Sequence, residues 1–350
     1  MSVGWLSAAL LTRKTVSDSV SGSNSFGRRG GGSIERVSTV ASCGRGGAGA
    51  ARMGGMRPQH ARHQRFGAGH GRARALCSLA AALVAGTSAS LLGAAPARAV
   101  VGGTSAYQGQ YPFMVSLREG GYPYCGGTLV AAQWVLTAAH CVEGRSAGTL
   151  TAVVDQAARD GSAGQTLEVD RTVVDPAYDA NTQDYDAALV HLTAPAIGVT
   201  PVAIDPAGSG DTSFARPGTV ATVIGYGSVD PEDVNGNGAV SYPATLQQAP
   251  VAIDSDSSCN TVFNGAQEPA AQTALMLCAG GDGAHDACVG DSGGPLLVPG
   301  GAVGWTEVGV VSWGAGCAVR GVPGVYTRLS DQQINGFVRG TIGAGSTLGG

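Results

Sequence analysis

Residues 286–295 read Asp-Ala-Cys-Val-Gly-Asp-Ser-Gly-Gly-Pro, and the rest of the chain is organised around this stretch. Ser292 is flanked by glycines, which lack side chains and leave room for a substrate backbone to approach. Consecutive backbone N–H groups in such a turn can also point at an oxygen that becomes negatively charged. The stretch therefore predicts a serine hydroxyl that acts as a nucleophile.

Two stretches upstream contain the partners that a nucleophilic serine needs. Residues 136–141 read Leu-Thr-Ala-Ala-His-Cys, and residues 184–192 read Asp-Tyr-Asp-Ala-Ala-Leu-Val-His-Leu. An imidazole can take the serine proton, and a carboxylate can hold the imidazole in the required tautomer. We therefore predict that His140 is the general base and that Asp186 is the acid that orients it.

These assignments have alternatives. A single histidine after small apolar residues, such as His140, is more often a core histidine, so its assignment depends on the other motifs. Asp184 lies two residues before Asp186 and is expected to be solvated. His191 has no place in the set and is expected to be structural or exposed.

Together the motifs Gly-Asp-Ser-Gly-Gly-Pro, Thr-Ala-Ala-His-Cys and an acid directly before a strand resemble the trypsin-like serine proteases of the chymotrypsin fold. The resemblance covers residues 100–340 and is closest to the secreted trypsins of actinomycetes. It implies an all-β peptidase domain of two antiparallel six-stranded β-barrels, at about residues 100–210 and 211–329, followed by a tail at 341–350. Many short Val-, Leu- and Thr-rich runs broken by Gly and Pro agree with antiparallel barrels.

One short helix is expected at the C-terminal end of the domain. Ser330 and Gln333 fit a capping box, in which two side chains satisfy free backbone groups at a helix start. Ile334, Phe337, Val338 and Ile342 then form one apolar face at helical spacing.

The resemblance assigns further roles around Ser292. The backbone N–H groups of Gly290 and Ser292 form an oxyanion hole, and Ser312 hydrogen-bonds the acid that orients the base. Asp286 lies at the base of the primary substrate pocket, and the remaining members of the substrate-binding set are Ala287, Trp313, Gly314 and Gly324.

The residues of this pocket predict its specificity. A buried carboxylate is costly unless it is paired, so Asp286 should select a cationic side chain. Ala287 stands where many trypsins carry a serine hydroxyl that helps to solvate a lysine ammonium. Arginine can pair with a carboxylate bidentately by itself. We therefore expect cleavage after Arg in preference to Lys.

A third group of residues is expected to control activation of the peptidase. Residues 100–103 read Val-Val-Gly-Gly, and the resemblance implies that the freed α-amino group of Val100 inserts and pairs with Asp291. The alternative for Val100–Gly103 is a strand that leads into a turn. A cut after Ala99 would release active enzyme directly, whereas a cut further upstream would leave a propeptide.

The mature segment contains Cys125, Cys141, Cys259, Cys278, Cys288 and Cys317. Six cysteines behind a secretory signal indicate disulfides in an oxidising compartment, and a zinc site is disfavoured because CxxC and HxxxH spacings are missing. Sequence alone leaves the pairing open. The resemblance implies the pairs Cys125–Cys141, Cys259–Cys278 and Cys288–Cys317.

Residues 1–99 differ in character from residues 100–350. The first segment carries thirteen basic residues against two acids, whereas the second carries eight Arg, no Lys and 23 acids. Residues 75–92 form an apolar run behind Arg72 and Arg74, and Ala97-Arg98-Ala99 matches a cleavage site. We interpret 1–99 as a low-complexity leader with a secretory signal and a possible propeptide. We expect a secreted extracellular monomer without a membrane anchor. The scattered basic charges do not indicate a nucleic-acid arm.

Residues 233–238 read Asp-Val-Asn-Gly-Asn-Gly and match the start of a calcium loop through Asp233, Asn235 and Asn237. The twelfth position is Ala244 rather than Glu, so plain turns are the favoured alternative. The expected chemistry requires no cofactor.

The expected partners are protein or peptide substrates and protein protease inhibitors. The competing function is a catalytically inactive trypsin-like binding module, which is disfavoured because His140, Asp186 and Ser292 are all present.

Overall fold

The computed structural model describes residues 100–208, 214–230, 240–264 and 270–343. Every described residue belongs to one compact unit, Ser90–Gly350. The predicted leader, the predicted calcium residues 233–237 and residues 344–350 of the tail predicted at 341–350 lie outside the described residues, whereas residues 341–342 of that tail belong to the C-terminal helix.

Fourteen strands and three helices are described. The strands are β1 Thr104–Ser105, β2 Met114–Glu119, β3 Tyr122–Ala131, β4 Trp134–Thr137, β5 Leu150–Val154, β6 Gln165–Val174, β7 Ala188–Leu192, β8 Ala203–Ile204, β9 Val220–Gly225, β10 Gln247–Ala252, β11 Met276–Ala279, β12 Pro295–Pro299, β13 Trp305–Trp313 and β14 Gly324–Arg328. The helices are α1 Ala139–Val142, α2 Asp256–Phe263 and α3 Gln332–Ile342. The expected all-β character is confirmed, because the helices are few and short.

The first half of the domain closes into a barrel of six strands in the order β2-β3-β4-β7-β6-β5. Its neighbouring strands are antiparallel throughout. Leu117, Leu129, Leu136 and Leu189 are fully buried and belong to the core that fills it. The expected first barrel of six antiparallel strands is confirmed.

The second half departs from the expected closed six-stranded barrel. Eight strands form one sheet in the order β1-β10-β9-β12-β13-β14-β11, with β8 added beside β13. The edge strands β1 and β11 do not pair with each other along a ladder. In the described part of the chain, the links near the seam are the isolated bridge Ile253↔Ala279 and two backbone hydrogen bonds beside it, Asp254 N to Cys278 O and Gly280 N to Ala252 O. Within the described residues the sheet therefore curls without closing.

Each half contributes segments to the other. β1 precedes the first barrel in sequence yet pairs with β10, and β8 follows that barrel yet pairs with β13. In return, Ile334, Val338 and Ile342 of α3 are buried in the same core cluster as the first barrel. The two halves are thus joined by strand pairing through β1 and β8 and by the packing of α3.

Two helical details differ from the sequence-based expectation. The N-cap of α3 is Asp331, not Ser330, because the Asp331 carboxylate accepts the backbone N–H groups of Gln333 and Ile334 at 2.9 Å each. A carboxylate satisfies two free donors and complements the helix dipole, which a hydroxyl at Ser330 does less well. Helix α2 was not expected, since only Cys259 and Phe263 of its residues are buried and its apolar periodicity is weak.

None of the helices in the described part of the chain is long and apolar enough to cross a membrane.

Candidate active site

Strand pairing in the first barrel brings the predicted base and acid together. β4 and β7 are antiparallel neighbours, and Thr137 at the end of β4 lies opposite Ala188 at the start of β7. His140 follows Thr137 by three residues and Asp186 precedes Ala188 by two, so both emerge at the same barrel rim. The His140 Nδ1 atom lies 2.8 Å from Asp186 Oδ2. The backbone N–H of His140 also donates to Asp186 Oδ1 at 2.9 Å.

The second sheet completes the surroundings of Asp186. Ser312 Oγ on β13 donates to Asp186 Oδ2 at 2.6 Å, and Thr327 Oγ1 on β14 donates to the Asp186 backbone oxygen at 2.7 Å. The carboxylate has no exposed surface, whereas the His140 side chain is 27% exposed. A buried acid with several donors is fixed in orientation, and the imidazole in front of it keeps access to solvent and substrate.

Ser292 lies on a turn that only glycine can form. Gly290 and Gly293 have φ values of +97° and +79°, a region that residues with a Cβ rarely adopt. A Cβ at Gly293 would also lie 2.2 Å from Thr137 Oγ1. The turn is held to the first barrel, because the backbone N–H of Gly126 donates to Ser292 O at 2.8 Å.

The disulfide sulfur of Cys141 lies between the ring of His140 and the backbone of Ser292. That sulfur lies 3.7 Å from His140 Nε2 and 3.7 Å from Ser292 O. Among the described residues no hydrogen bond joins the Ser292 hydroxyl to the imidazole, a contact that is often long in unliganded enzymes. The structure therefore pairs the predicted base and acid directly and brings the backbone of Ser292 close to them.

The two predicted oxyanion donors are free of backbone partners. In the described part of the chain, the backbone N–H groups of Gly290 and Ser292 donate to no backbone carbonyl, although Asp291, Gly293 and Gly294 in the same turn do. Donors held by a rigid turn and left unpaired are what an oxyanion hole requires.

A cavity of about 140 Å³ opens beside Ser292 and ends at Asp286. Asp286 is 1% exposed. Its Oδ2 accepts the backbone N–H of Ala318 at 2.9 Å, while its buried Oδ1 has no partner among the described residues. Burial raises the pKa of Asp286 to about 7, although backbone N–H donors oppose that rise. A buried oxygen without a donor at the end of a cavity is suited to a cationic ligand.

The other predicted substrate-binding residues line the same cavity: Ala287, Ser312, Trp313, Gly314 and Gly324. A Cβ at Gly324 would lie 2.9 Å from Asp286 Oδ1, and one at Gly314 would lie 3.4 Å from the Gly316 carbonyl. The wall glycines therefore keep the way to the carboxylate open.

Asp291 is fully buried behind Ser292, and burial raises its pKa to about 7. Its carboxylate accepts the backbone N–H groups of Gly227 and Cys288, each at 2.8 Å. Val100 is also fully buried, with a φ of +56°, a strained value for a β-branched residue. Next to it, Val101 N donates to Asp286 O at 3.0 Å, which ties the start of the domain to the substrate pocket.

The three expected disulfides are present: Cys125–Cys141, Cys259–Cys278 and Cys288–Cys317. The first spans β3 and α1 and so fixes the residue next to His140. Cys125, His140 and Cys141 lie close enough to hold a metal ion, but both sulfurs are consumed in the disulfide.

The alternatives considered for the acid and base are not in the site. Asp184 lies in a half-buried turn with Asp179 and makes no hydrogen bond to His140. His191 is half-buried, with its Nδ1 2.7 Å from Asp170 Oδ1 and its ring against Trp134.

Sequence reasoning missed several residues that build the site. Thr327 and Ala318 were not singled out, although each donates to a key acid. Gly225 and Gly227 were also missed, and a Cβ at either would come within 2.6 Å of the Asp291 carboxylate. The Gly-Tyr-Gly spacing at 225–227 was the available signal for that close approach.

Comparisons with known proteins show the family of the chain. The sequence model of the family described as Trypsin matches residues 100–335. Cationic trypsin-3 of Rattus norvegicus is 36% identical over 234 residues, which cover 66% of this chain and 85% of that protein. Trypsin Blo t 3 of Blomia tropicalis is 35% identical, with 66% and 82% covered.

Serine protease 56 of Mus musculus is 38% identical over 237 residues, or 66% of this chain, but the match spans only 37% of that longer protein. The segment matched by the family model, residues 100–335, contains His140, Asp186 and Ser292. On the family match and these identities, the chain belongs to the trypsin family of serine-type endopeptidases.

Proposed function

We propose that the chain is a secreted serine endopeptidase that cleaves peptide bonds after Arg, and less readily after Lys. The observation that carries the proposal is a single juxtaposition. Ser292 lines the cavity that ends at the unpaired Asp286 oxygen. His140, whose Nδ1 lies 2.8 Å from Asp186 Oδ2, is linked to Ser292 through the Cys141 sulfur, which lies 3.7 Å from both His140 Nε2 and Ser292 O. A nucleophile, its base and a cation-selective pocket thus share one site.

His140, Asp186 and Ser292 act in sequence during the reaction. His140 Nε2 accepts the Ser292 proton as Oγ attacks the scissile carbonyl, and Asp186 stabilises the imidazolium that forms. The protonated imidazole then gives its proton to the leaving amine, so the C–N bond breaks and an acyl-enzyme remains. Water deprotonated by His140 hydrolyses that ester and restores the hydroxyl.

The carbonyl oxygen becomes negative during both steps. The backbone N–H groups of Gly290 and Ser292 are the proposed donors to it, each worth about 2.7–4 kcal/mol of transition-state stabilisation. No cofactor takes part, as is general in this family.

Pocket chemistry favours Arg over Lys. A guanidinium can use two N–H groups on the Asp286 carboxylate, whose Oδ1 has no other donor among the described residues. A lysine ammonium at the same depth needs extra acceptors, and Ala287 offers no side-chain oxygen. Gly314 and Gly324 leave room for either side chain.

Activation is proposed to depend on Val100 and Asp291. An ammonium at Val100 would supply a counter-charge to the buried Asp291 carboxylate and stabilise its ionised form. Asp291 directly precedes Ser292, so this pair would fix the nucleophile and the oxyanion donors. Residues 100–340 form the proposed catalytic domain, and residues 1–99 the leader removed from it.

Secretion is supported by the apolar run at 75–92, the following cleavage pattern and the three disulfides. The proposed partners are protein substrates and protein inhibitors, and the proposed state is a monomer. Similarity to the secreted actinomycete trypsins, and calcium at residues 233–237, stay predictions.

The test uses the secreted full-length product. Wild type should react with a fluorophosphonate probe at Ser292 and hydrolyse an Arg peptide faster than its matched Lys peptide, while Ser292→Ala should do neither. An inactive binding module would react with no probe and hydrolyse neither peptide. Equal rates on the Arg and Lys peptides would remove the Arg preference but keep the protease. N-terminal sequencing of the product tests the cut before Val100.

A further inference from the structure

A second cavity, of about 500 Å³, lies beside the turn at residues 290–293 that carries Ser292. It is lined by Arg118, Tyr122, Arg159, Asp160 and Tyr242. We call it the cationic groove. None of these residues lines the pocket that ends at Asp286. Whatever occupies the groove is therefore not the side chain that Asp286 selects.

The groove begins at this turn, next to Gly290. A Cβ placed on Gly290 would lie 3.2 Å from Cε1 of Tyr242, so this ring packs directly against the turn. At its other end the groove includes Tyr122, the first residue of β3. Four residues further along that strand, Gly126 N donates to Ser292 O at 2.8 Å. At about 3.3 Å per residue, the groove therefore starts at the turn and extends about 13 Å from Ser292.

Arg159 presents a positive charge in the groove. Its guanidinium carbon lies 4.2 Å from the centroid of the Tyr242 ring, and its Nε donates to the Tyr226 backbone oxygen at 3.3 Å. Within the described ranges it has no carboxylate within 4 Å, in contrast to Arg145 and Arg328, which pair with Glu119 and Asp256. Stacking on a ring leaves the edge N–H groups of a guanidinium available to an acceptor.

Arg118 adds a second guanidinium beneath the first. It is 7% exposed, and its two Nη groups donate to the backbone oxygens of Asp160, Gly121 and Arg159 and to Gln156 Oε1, whereas its buried Nε has no partner among the described residues. Its bond to the Arg159 carbonyl fixes the backbone that carries Arg159. Among the described residues, the only carboxylate that lines the groove is Asp160, whose Oδ1 accepts Ser162 N at 2.9 Å. The lining of the groove thus carries two guanidinium groups and one carboxylate.

Two tyrosines give the groove an accessible rim. Tyr122 is 80% exposed and Tyr242 is 40% exposed. The domain around the groove is acidic overall, because residues 100–350 carry 23 acids and only eight Arg. A positive, aromatic groove on an otherwise acidic domain favours an anionic side chain on an extended peptide.

We propose that the cationic groove binds the substrate chain on the leaving-group side of the scissile bond and selects an acidic residue two or three positions beyond it. This inference rests on the proposed function. The acyl side of the substrate enters the Asp286 pocket, so the chain beyond the bond passes the opposite side of Ser292, along Gly290 and Tyr242. There the Arg159 guanidinium donates to a Glu or Asp carboxylate.

Internally quenched peptides test the proposal, because they extend past the cleaved bond. A matched set contains one Arg and carries Glu, Gln or Lys at the second or third position after it. Each kcat/KM is divided by the value of the same enzyme preparation on an Arg anilide, which has no residue in the groove. Wild type should prefer Glu over Gln by about three- to tenfold. The preference should shrink as salt rises.

Arg159→Gln should bring the Glu-to-Gln ratio close to one. Arg171→Gln is the matched control, since Arg171 stacks on Trp134 outside the groove and should keep the wild-type ratio. A ratio near one in wild type, or an unchanged ratio in Arg159→Gln, overturns the proposal while anilide hydrolysis still supports the protease. Absence of anilide hydrolysis in wild type would instead overturn the proposed function together with this inference.

Discussion

Asp186 holds His140 at two points, through the backbone N–H at 2.9 Å and through the ring Nδ1 at 2.8 Å. The first contact fixes the backbone position of His140, and the second fixes the orientation of its imidazole ring. The carboxylate in turn accepts Ser312 Oγ from the opposite sheet. The orientation of the base is therefore set by residues from both halves of the domain.

Replacing the acid by its amide should separate orientation from charge. Asp186→Asn keeps the shape, but its amide NH₂ favours the wrong imidazole tautomer. We expect kcat on an Arg peptide to fall by about 10⁴-fold, the size of effect known for this change in the chymotrypsin family. Asp184→Asn is the control and should retain near-wild-type kcat. Comparable losses in the two variants would contradict the assignment of Asp186.

A methyl group added to the wall of the substrate pocket at Gly324 should obstruct access to Asp286. In Gly324→Ala the new Cβ would lie 2.9 Å from Asp286 Oδ1, so we expect kcat/KM for Arg peptides to fall at least tenfold (roughly the cost of one lost charged contact). Gly336→Ala is the matched control, because a Cβ there meets nothing within 4 Å on helix α3. That control should keep activity and raise stability by about 0.5–1 kcal/mol. Full activity in Gly324→Ala would show that Asp286 does not receive the substrate.

Cation binding by the pocket should depend on the charge of Asp286. Its pKa of about 7 means that, in the empty pocket, the Asp286 carboxyl is largely protonated at pH 5.5 and largely ionised at pH 8.5. An amidinium ligand favours the ionised form, so benzamidine should bind Ser292→Ala more tightly at pH 8.5, by about tenfold or more. Isothermal calorimetry measures this. The variant Asp286→Asn should bind weakly at both pH values, and a pH-independent affinity in Ser292→Ala would refute the interpretation.

Glu307 predicts a pH dependence of stability that does not involve catalysis. It is fully buried on β13, with Thr128 Oγ1 donating to Oε1 at 3.1 Å and Oε2 without a partner among the described residues. Burial raises the pKa of Glu307 well above its usual value. The folded chain thus keeps this proton to higher pH than the unfolded chain does. The resulting stability is complete below the unfolded pKa and is lost as pH rises towards the folded value.

Glu307→Gln should remove that loss. We expect the variant to be more stable than wild type at pH 8 by about 1–3 kcal/mol, with little difference at pH 4. Thermal unfolding at the two pH values checks this, with the exposed Glu168→Gln as control. Equal pH dependence in wild type and Glu307→Gln would mean that the buried carboxyl is not protonated.

Residue patterns predicted the site better than the architecture. Ser292, His140 and Asp186 stand in short motifs whose local chemistry is visible in sequence, and β4–β7 pairing then brings two of them together. Closure of the second sheet was not predictable in this way. It depends on whether the isolated bridge Ile253↔Ala279 extends into a ladder between β10 and β11, which residue patterns do not reveal.

Residues that act through a single backbone contact were equally hidden. Thr327 looks like any strand threonine until its hydroxyl is seen on the Asp186 carbonyl. The cap of α3 was misplaced by one residue, because Ser330 and Asp331 are both good N-caps and only the backbone turn distinguishes them.

The exchange of contacts between the halves has a consequence for the timing of activity during synthesis. Asp186 leaves the ribosome long before Ser312 and Thr327, which follow it by 126 and 141 residues. A nascent chain can form the first barrel and still lack the hydroxyls that steady its acid and the turn that carries its nucleophile. Hydrolytic competence therefore requires synthesis of the domain at least through Thr327.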